Sequence, residues 1–360
     1  MPSDRPVTGR SSQRSRWIIA VAVGAVAALL VALAVEPRLF NVQQVLGTAQ
    51  MISFRGALAL VLGVLVLLTG GLSLAAKKLR TPLLVVLMVL LAGSIWNLSV
   101  VLDRGTAVAS ASDQRDGGGD VGGTDLGDAH LTVLGWNTQG GGASAAQIAG
   151  VILDHGVDAA MLPETTPETA SEVATLLAEA GHEYSWDVTD GDTGRGSTPT
   201  ALILGAELGE YHHDPEAGST PRLPSGVWRS EDATLPVFVA VHAAPPLPEM
   251  MGEWRGGLGW AAQQCGPNVV MAGDFNSTID HWADDAAPQG QLGVCEDSAA
   301  AVGSGAIGTW PTSVPKIVGA PIDHVLTGAR WKTTSFEVLA DEDAARSDHR
   351  PVVAEIIRAQ

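Results

Sequence analysis

Asn137, Glu164, His242, Asp274, Asn276, Asp323, Asp348 and His349 are polar residues of the kinds that do acid–base and metal chemistry, and they share a local context. Each stands at or near one end of a short apolar run. Asn137 follows residues 131–136, Glu164 follows 157–163, His242 follows 237–241, and Asp274 and Asn276 follow 269–273. Asp323 and His324 lie within 321–326, while Asp348 and His349 precede 351–356. Runs of this length and composition read as buried strands. Strand ends of a layered sheet converge on one edge, so these groups can meet in one pocket. Carboxylate and amide oxygens suit a hard cation such as Mg2+ or Mn2+, and with histidines beside them they suit metal-assisted phosphoryl hydrolysis.

The elements needed to position them are legible in outline. Residues 143–155 carry Ile148, Ile152 and Leu153 at helical spacing and stop at Gly156; Pro167 opens a second helix to Ala180, with Gly181 after it. A third helix is expected over 248–264, and further strands over 201–204, 226–229, 237–241, 268–272, 321–326, 333–339 and 351–356. No internal repeat is visible. Many strands with a few interleaved helices predict an α+β fold, a two-layered β-sandwich flanked by helices.

Taken singly, Asn137 reads as a turn cap and Glu164, in Glu-Thr-Thr-Pro, as a helix cap. The ordered set points further. Trp136-Asn137, Pro163-Glu164, Val241-His242, Gly273-Asp274-Phe275-Asn276, Ile322-Asp323-His324 and Ser347-Asp348-His349 occur in the order found in the endonuclease/exonuclease/phosphatase family, which the chain resembles over about residues 131–357. That family includes repair endonucleases, sphingomyelinases and inositol-phosphate phosphatases. The resemblance implies Mg2+ or Mn2+ held by Glu164, with Asn137 and Asp348 in or beside its coordination sphere. It implies that Asp274 orients or deprotonates the attacking water, that Asn276 helps hold the phosphate, and that His242 donates to phosphoryl oxygens. His349 would contact the scissile phosphate, its tautomer fixed by Asp323. His324 reads as a strand residue, Trp310-Pro311 as a loop near the pocket, and His155, His182, His212, His213 and His281 as surface groups.

The substrate class is narrowed by charge. From Asp128 onward there are ten Lys/Arg against thirty-two Asp/Glu, and the whole chain carries a formal charge of −18. Proteins that grip a nucleic-acid backbone normally present a basic surface. Nucleases similar to this chain commonly carry Asn-x-His at the third motif, where Ala240-Val241-His242 stands here, and residues 187–199 offer only Arg195 as a cation. A phosphate ester or diphosphate, lipid-linked by preference, is the expected substrate. The alternatives are an extracellular nuclease acting on DNA or RNA and a catalytically inactive, membrane-tethered binding module; the complete residue set argues against the second.

Three apolar runs precede this region: Trp17–Val35, residues 57–76 and residues 83–102, each about long enough to span a bilayer core. Arg5, Arg10, Arg14 and Arg16 precede the first, and Lys77, Lys78 and Arg80 separate the second from the third. By the positive-inside rule both clusters are cytoplasmic, and everything after residue 102 is outside. Ala32-Leu33-Ala34 has the form of a signal-peptide cleavage site, but the run is long for one and two more spans follow. With no Asp, Glu or Lys inside the spans, they read as an anchor in the lipid bilayer and not a transport path. The expected organisation is an anchor over 1–104, a Gly/Asp/Ser-rich tether over 105–130 and an extracytoplasmic domain over 131–360, with no obligate protein partner evident. Spans followed by such a domain also resemble the actinobacterial membrane proteins linked to teicoplanin resistance, which implies a lipid-carrier phosphate such as undecaprenyl diphosphate. Cys265 and Cys295 lack the spacing of a zinc site and are either a disulfide or two buried thiols.

Overall fold

The computed structural model describes residues 8–106, 130–189, 197–282 and 290–359, with side chains from residue 17 onward. The central part of the 105–130 tether, the N-terminal arginines and Arg195 lie outside the described side chains. Three helices are long and apolar enough to cross a membrane: α1 (Thr8–Val35), α3 (Arg55–Ala75) and α4 (Arg80–Arg104), with the short α2 (Thr48–Ser53) just before α3. Helix α4 packs along both α1 and α3. Gly24 and Gly93 make this possible: a Cβ at either would overlap a valine of the facing helix.

The remainder is a two-layered sandwich. One sheet holds β1 (His130–Gly135), β2 (Ala159–Leu162), β3 (Tyr184–Val188), β4 (Ala201–Gly205), β12 (Trp331–Val338) and β13 (Val352–Arg358), in the order β12-β13-β1-β2-β4-β3. The other holds β5 (His212–His213), β6 (Gly226–Arg229), β7 (Val237–His242), β8 (Val269–Asp274), β9 (Gln291–Leu292), β10 (Cys295–Asp297) and β11 (Asp323–Thr327), in the order β5-β6-β7-β8-β11-β10-β9. Each sheet contains one parallel pair, β1/β2 and β7/β8, bridged by a helix: α5 (Ala145–His155) and α7 (Met251–Gln264). Helix α6 (Pro167–Glu179) packs beside α5, and the one-turn helices α8 (Ile279–Trp282) and α9 (Ser298–Ala301) lie in the loops of the second sheet.

Alternation along the strands builds three cores. Val133, Met161, Leu202, Phe238, Ala240, Val270, Ala272 and Val325 face between the sheets. Leu134, Ala160, Leu162 and Ile203 face α5 and α6, while Val239, Val241 and Met271 face α7. A sheet covered on both faces shows just this run of unbroken apolar residues with opposite destinations. The helices form because each has a cap and an apolar face. Ser144 accepts from Gln147 N at the start of α5, and Gly156 closes it in the left-handed region; Thr166 caps α6. Cys265 and Cys295 form a disulfide with Cα atoms 5.6 Å apart, tying the end of α7 to β10.

Strands β3, β5, β9 and β10 fall outside the sequence expectation. They lie at or near the sheet edges, are short or polar, and take their conformation from a neighbour, not from an apolar period of their own.

Candidate active site

Strand register lines up the first three site residues. His242, Asp274 and Asp323 are direct neighbours across β7, β8 and β11: His242 pairs with Asp274, and Asp274 with Asp323. They continue the pleat of Ala240, Ala272 and Val325, so their side chains point toward the opposing sheet. β7 can lie this close because residue 273 is glycine, at φ +135°, where a Cβ would stand 2.2 Å from the Val241 carbonyl oxygen.

The other sheet answers with Asn137 after β1, Glu164 after β2, and Asp348 and His349 before the antiparallel β13. Asn137 joins the two layers: its Nδ2 donates to Glu164 Oε1 at 3.2 Å and to Asp274 Oδ2 at 3.1 Å. Its Oδ1 accepts from Gln139 N at 3.0 Å, so the turn-cap reading also holds. Glu164 does not cap α6, a role taken by Thr166. It sits instead at φ +58°, a conformation costly for a side-chain-bearing residue and concentrated at functional sites. Gln139, Asn276 and Arg346, on the adjoining loops, share positive φ.

His349 is held on three sides. Its Nδ1 donates to Asp323, 2.9 Å from Oδ2 and 3.0 Å from Oδ1. Its backbone N–H donates to Ser347 Oγ, which donates to the Asn137 carbonyl, and its own carbonyl accepts from Trp136 Nε1. Nε2 then faces the pocket, 3.8 Å from Asp274 Oδ2 and 3.9 Å from Asp348 Oδ1. On the opposite side His242 Nε2 lies 3.5 Å from Glu164 Oε1. Asn276 donates its Nδ2 to Asp274 and to the Ala243 carbonyl, and its backbone N–H to Asp274 Oδ1.

Burial sets the charges. Burial pushes the Asp274 carboxyl up to about 7, with neighbouring Asp323 adding to it and His349 opposing. Burial also works against a charged His349, but Asp323 and Asp274 outweigh it and raise the imidazole to about 10. His242 is pushed down to about 3, by burial first and by His349 second, and is a neutral imidazole. The site therefore pairs one protonated with one neutral histidine around a carboxylate poised near neutrality.

The candidate metal donors divide. Asn137 and Glu164 are in contact, and Glu164 is 31% exposed, so its carboxylate has an open side. Asp348, 41% exposed, accepts from Trp310 Nε1 at 2.8 Å and reaches the pocket beside His349. Among the described residues, Asp274, Asp323 and His349 also lie close enough to share an ion, with ligand atoms within 4.8 Å of one another. Within that group both Asp323 oxygens lie at hydrogen-bond distance from His349 Nδ1, leaving His349 Nε2 and Asp274 facing the pocket. The partly open carboxylate of Glu164 is the kind of hard oxygen donor a divalent cation takes, while Asn137 turns its Nδ2 toward it and its Oδ1 toward Gln139 N.

His324 is outside the pocket, as its strand context indicates, donating to Asp297 Oδ2 at 2.6 Å and to the Ser277 carbonyl at 2.8 Å. His281 corrects the surface reading. It is fully buried, accepts from Thr278 N and donates to the Ala49 carbonyl, because the α2 segment closes over it. Sequence reasoning missed Gln139, whose Oε1 accepts from Asp348 N, and Arg350. Buried Arg350 pairs with Asp343 and donates to the carbonyls of Pro311, Thr312 and Val314, fixing the loop that presents Trp310. An arginine directly after the Ser-Asp-His run was the available signal.

The Endonuclease/Exonuclease/phosphatase family matches residues 134–349, and the chain belongs to it. Solved structures similar to this chain include an endonuclease/exonuclease/phosphatase from Beutenbergia cavernae, 16% identical over 64% of this chain and 72% of that one (TM-score 0.46). Another is from Bacteroides vulgatus, 15% identical over 64% of this chain and all of that one (TM-score 0.47). D. rerio TDP2 complexed with a single-strand DNA product is 17% identical over 64% and 99% (TM-score 0.46). None of the curated proteins matches this chain.

Proposed function

We propose that the protein is a membrane-anchored, divalent-metal-dependent hydrolase of a lipid-linked phosphate ester or diphosphate, working outside the cytoplasm. The observation that carries the hydrolytic reading is the Asp323–His349 pair, which faces Asp274 across 3.8 Å with Asn137 and Glu164 on the far wall. A bound Mg2+ or Mn2+, held by Glu164 with Asn137 and with Asp348 nearby, would polarise a phosphoryl oxygen and offset its charge. Asp274 orients a water and takes its proton as the water oxygen attacks phosphorus. The bond to the leaving oxygen breaks in line, with no covalent enzyme intermediate. Protonated His349 stabilises the growing negative charge, Asp323 holds its tautomer, neutral His242 donates from Nε2, and Asn276 steadies Asp274 and the phosphate.

Three observations support the remaining parts of the reading. The three apolar helices support an anchor over 1–104 ahead of a phosphoesterase domain over 131–360. Lys77, Lys78 and Arg80 between α3 and α4 support an external catalytic domain. The −18 charge disfavours a long polyanion such as DNA relative to a phosphate delivered by the membrane.

The full chain in detergent or nanodiscs, with Mg2+ or Mn2+, is offered a polyprenyl diphosphate, a generic phosphodiester and plasmid DNA. Turnover of the lipid phosphate, abolished by chelator and lowered by orders of magnitude in Glu164→Ala and His349→Ala, is the expected result. Rapid DNA cleavage without lipid turnover overturns the substrate class. Near-normal rates in both variants overturn the site.

A further inference from the structure

The connection between the first two apolar helices, residues 36–54, is docked onto the catalytic domain. Gln44 Nε2 donates to the His281 carbonyl at 2.8 Å, Arg255 donates to the Gln44 carbonyl at 3.2 Å, and Gln50 donates to the Pro246 carbonyl. Ala49 is fully buried in the core under α7. Behind this connection Arg55, at the start of α3, and Arg104, at the end of α4, both close on buried Asp280. Gly56 sits so near the Ile317 carbonyl that a Cβ would stand 1.8 Å from its oxygen.

At the last residue of this connection the chain turns out of α2 and into α3 through Phe54, whose backbone is not helical (φ −112°, ψ 54°). That turn brings the Phe54 ring to 5.9 Å from the ring of Trp310. Trp310 in turn lies 6.5 Å from the His349 ring and donates to Asp348. Two aromatic rings therefore run from the outer end of a membrane helix to the catalytic imidazole. Neither ring is fully buried. Exposed apolar side chains stand next to these contacts: Met51 follows Gln50, Leu247 follows Pro246, and the Ile317 backbone is the one that Gly56 approaches. All belong to segments that touch the helix ends, where the membrane–water interface would fall, and aromatic side chains favour that depth.

We propose that Phe54 and Trp310 receive the first apolar segment of the substrate's hydrocarbon tail, so that the anchor itself completes the binding site for a long-chain lipid-alcohol phosphate. This rests on the lipid-phosphate reading above. The phosphate would occupy the pocket between His349, His242 and Glu164, and the tail would leave along the Phe54–Trp310 seam toward the bilayer. The continuity of this apolar path with the membrane helices selects a lipid tail as its occupant. Phe54 is then a specificity residue contributed by the anchor.

The test uses full-length protein in nanodiscs with Mg2+, comparing kcat/KM for a polyprenyl diphosphate with that for a short, water-soluble prenyl diphosphate. Wild type is expected to favour the long chain. Phe54→Ala is expected to lower the long-to-short ratio about tenfold or more, mainly through KM, with Phe54→Trp restoring it. Ile317→Ser, at an exposed position with little stability at stake, is expected to shift the ratio the same way if Phe54→Ala fails to fold. A wild type without chain-length preference overturns the lipid reading itself. A wild-type preference left unchanged by both substitutions overturns the seam while leaving that reading standing.

Discussion

Asp323 holds both carboxylate oxygens within 3.0 Å of His349 Nδ1, so the imidazole has one orientation and only Nε2 is free for the substrate. The pair exists because β8 and β11 put Asp323 next to Asp274 while the loop before β13 drops His349 onto both. Replacing Asp323 by Asn keeps the shape but offers an amide donor where an acceptor is needed. The imidazole then loses its tautomer control and much of the charge that keeps it protonated. Asp323→Asn is expected to lower kcat by about 100-fold or more with a smaller change in KM. Steady-state kinetics on the best substrate decide this, and a kcat within a few-fold of wild type would remove Asp323 from its positioning role.

His324, next in sequence, supplies a pH-dependent stability contribution without being in the pocket. Both ring nitrogens donate, to Asp297 and to the Ser277 carbonyl, which requires the charged form. Burial opposes that form, but Asp297 outweighs it and the pKa is raised. A raised histidine binds its proton more tightly in the folded state. Its contribution is therefore fully present below the ordinary histidine value of about 6.5 and is lost as pH rises through the folded value. Thermal unfolding of the full chain should show this contribution falling as pH rises from about 6.5 through the folded value, and His324→Gln should be less stable at pH 6 with a flatter dependence. Parallel wild-type and variant curves would mean the ring is neutral.

The pocket was legible in the sequence because its residues stand beside long apolar strands, and strands β1, β2, β7, β8, β11 and β13 take their form from their own patterns. Family order implied the roles proposed for them. What could not be read was anything fixed by partners distant in sequence. Asp280 looks like any acid shortly after a Ser-Thr pair until Arg55 and Arg104 reach it from α3 and α4, and His281 looks exposed until Ala49 covers it. Glu164 is the intermediate case: its type and place were visible, but its positive φ and its link through Asn137 to Asp274 arise only when the two sheets close.

Asp280 ties the apolar helices α3 and α4 to the loop that begins at Asp274. It is completely buried, accepts from Arg55 at 2.8 Å and from Arg104, and the two arginines hold its carboxylate well below the usual range against the opposing effect of burial. Removing one member of a buried ion group leaves the others charged and unpaired, typically at a cost of about 3–5 kcal/mol. Asp280→Ala should therefore unfold at markedly lower temperature in detergent and lose turnover as the segment carrying Asn276 loosens. Unchanged melting and activity would show that the apolar helices and the sandwich are not joined through this residue.

Gly273 gives the sharpest link between backbone and chemistry. At φ +135° it occupies a conformation that L side chains rarely adopt, and it lets the Val241 carbonyl come within 2.2 Å of where a Cβ would be. That closeness is what sets His242 beside Asp274 and, through it, Asp323. A methyl group at 273 would have to push β7 from β8 and rotate the peptide that leads into Asp274. Gly273→Ala should consequently lose nearly all turnover and a large part of its thermal stability, whereas Gly252→Ala, in an open position on α7, should keep turnover and lose no stability, gaining slightly from helix propensity. Comparing the two variants separates a local backbone requirement from a general intolerance of substitution. Equal behaviour of the two would place the origin of the His242–Asp274 register elsewhere than in this glycine.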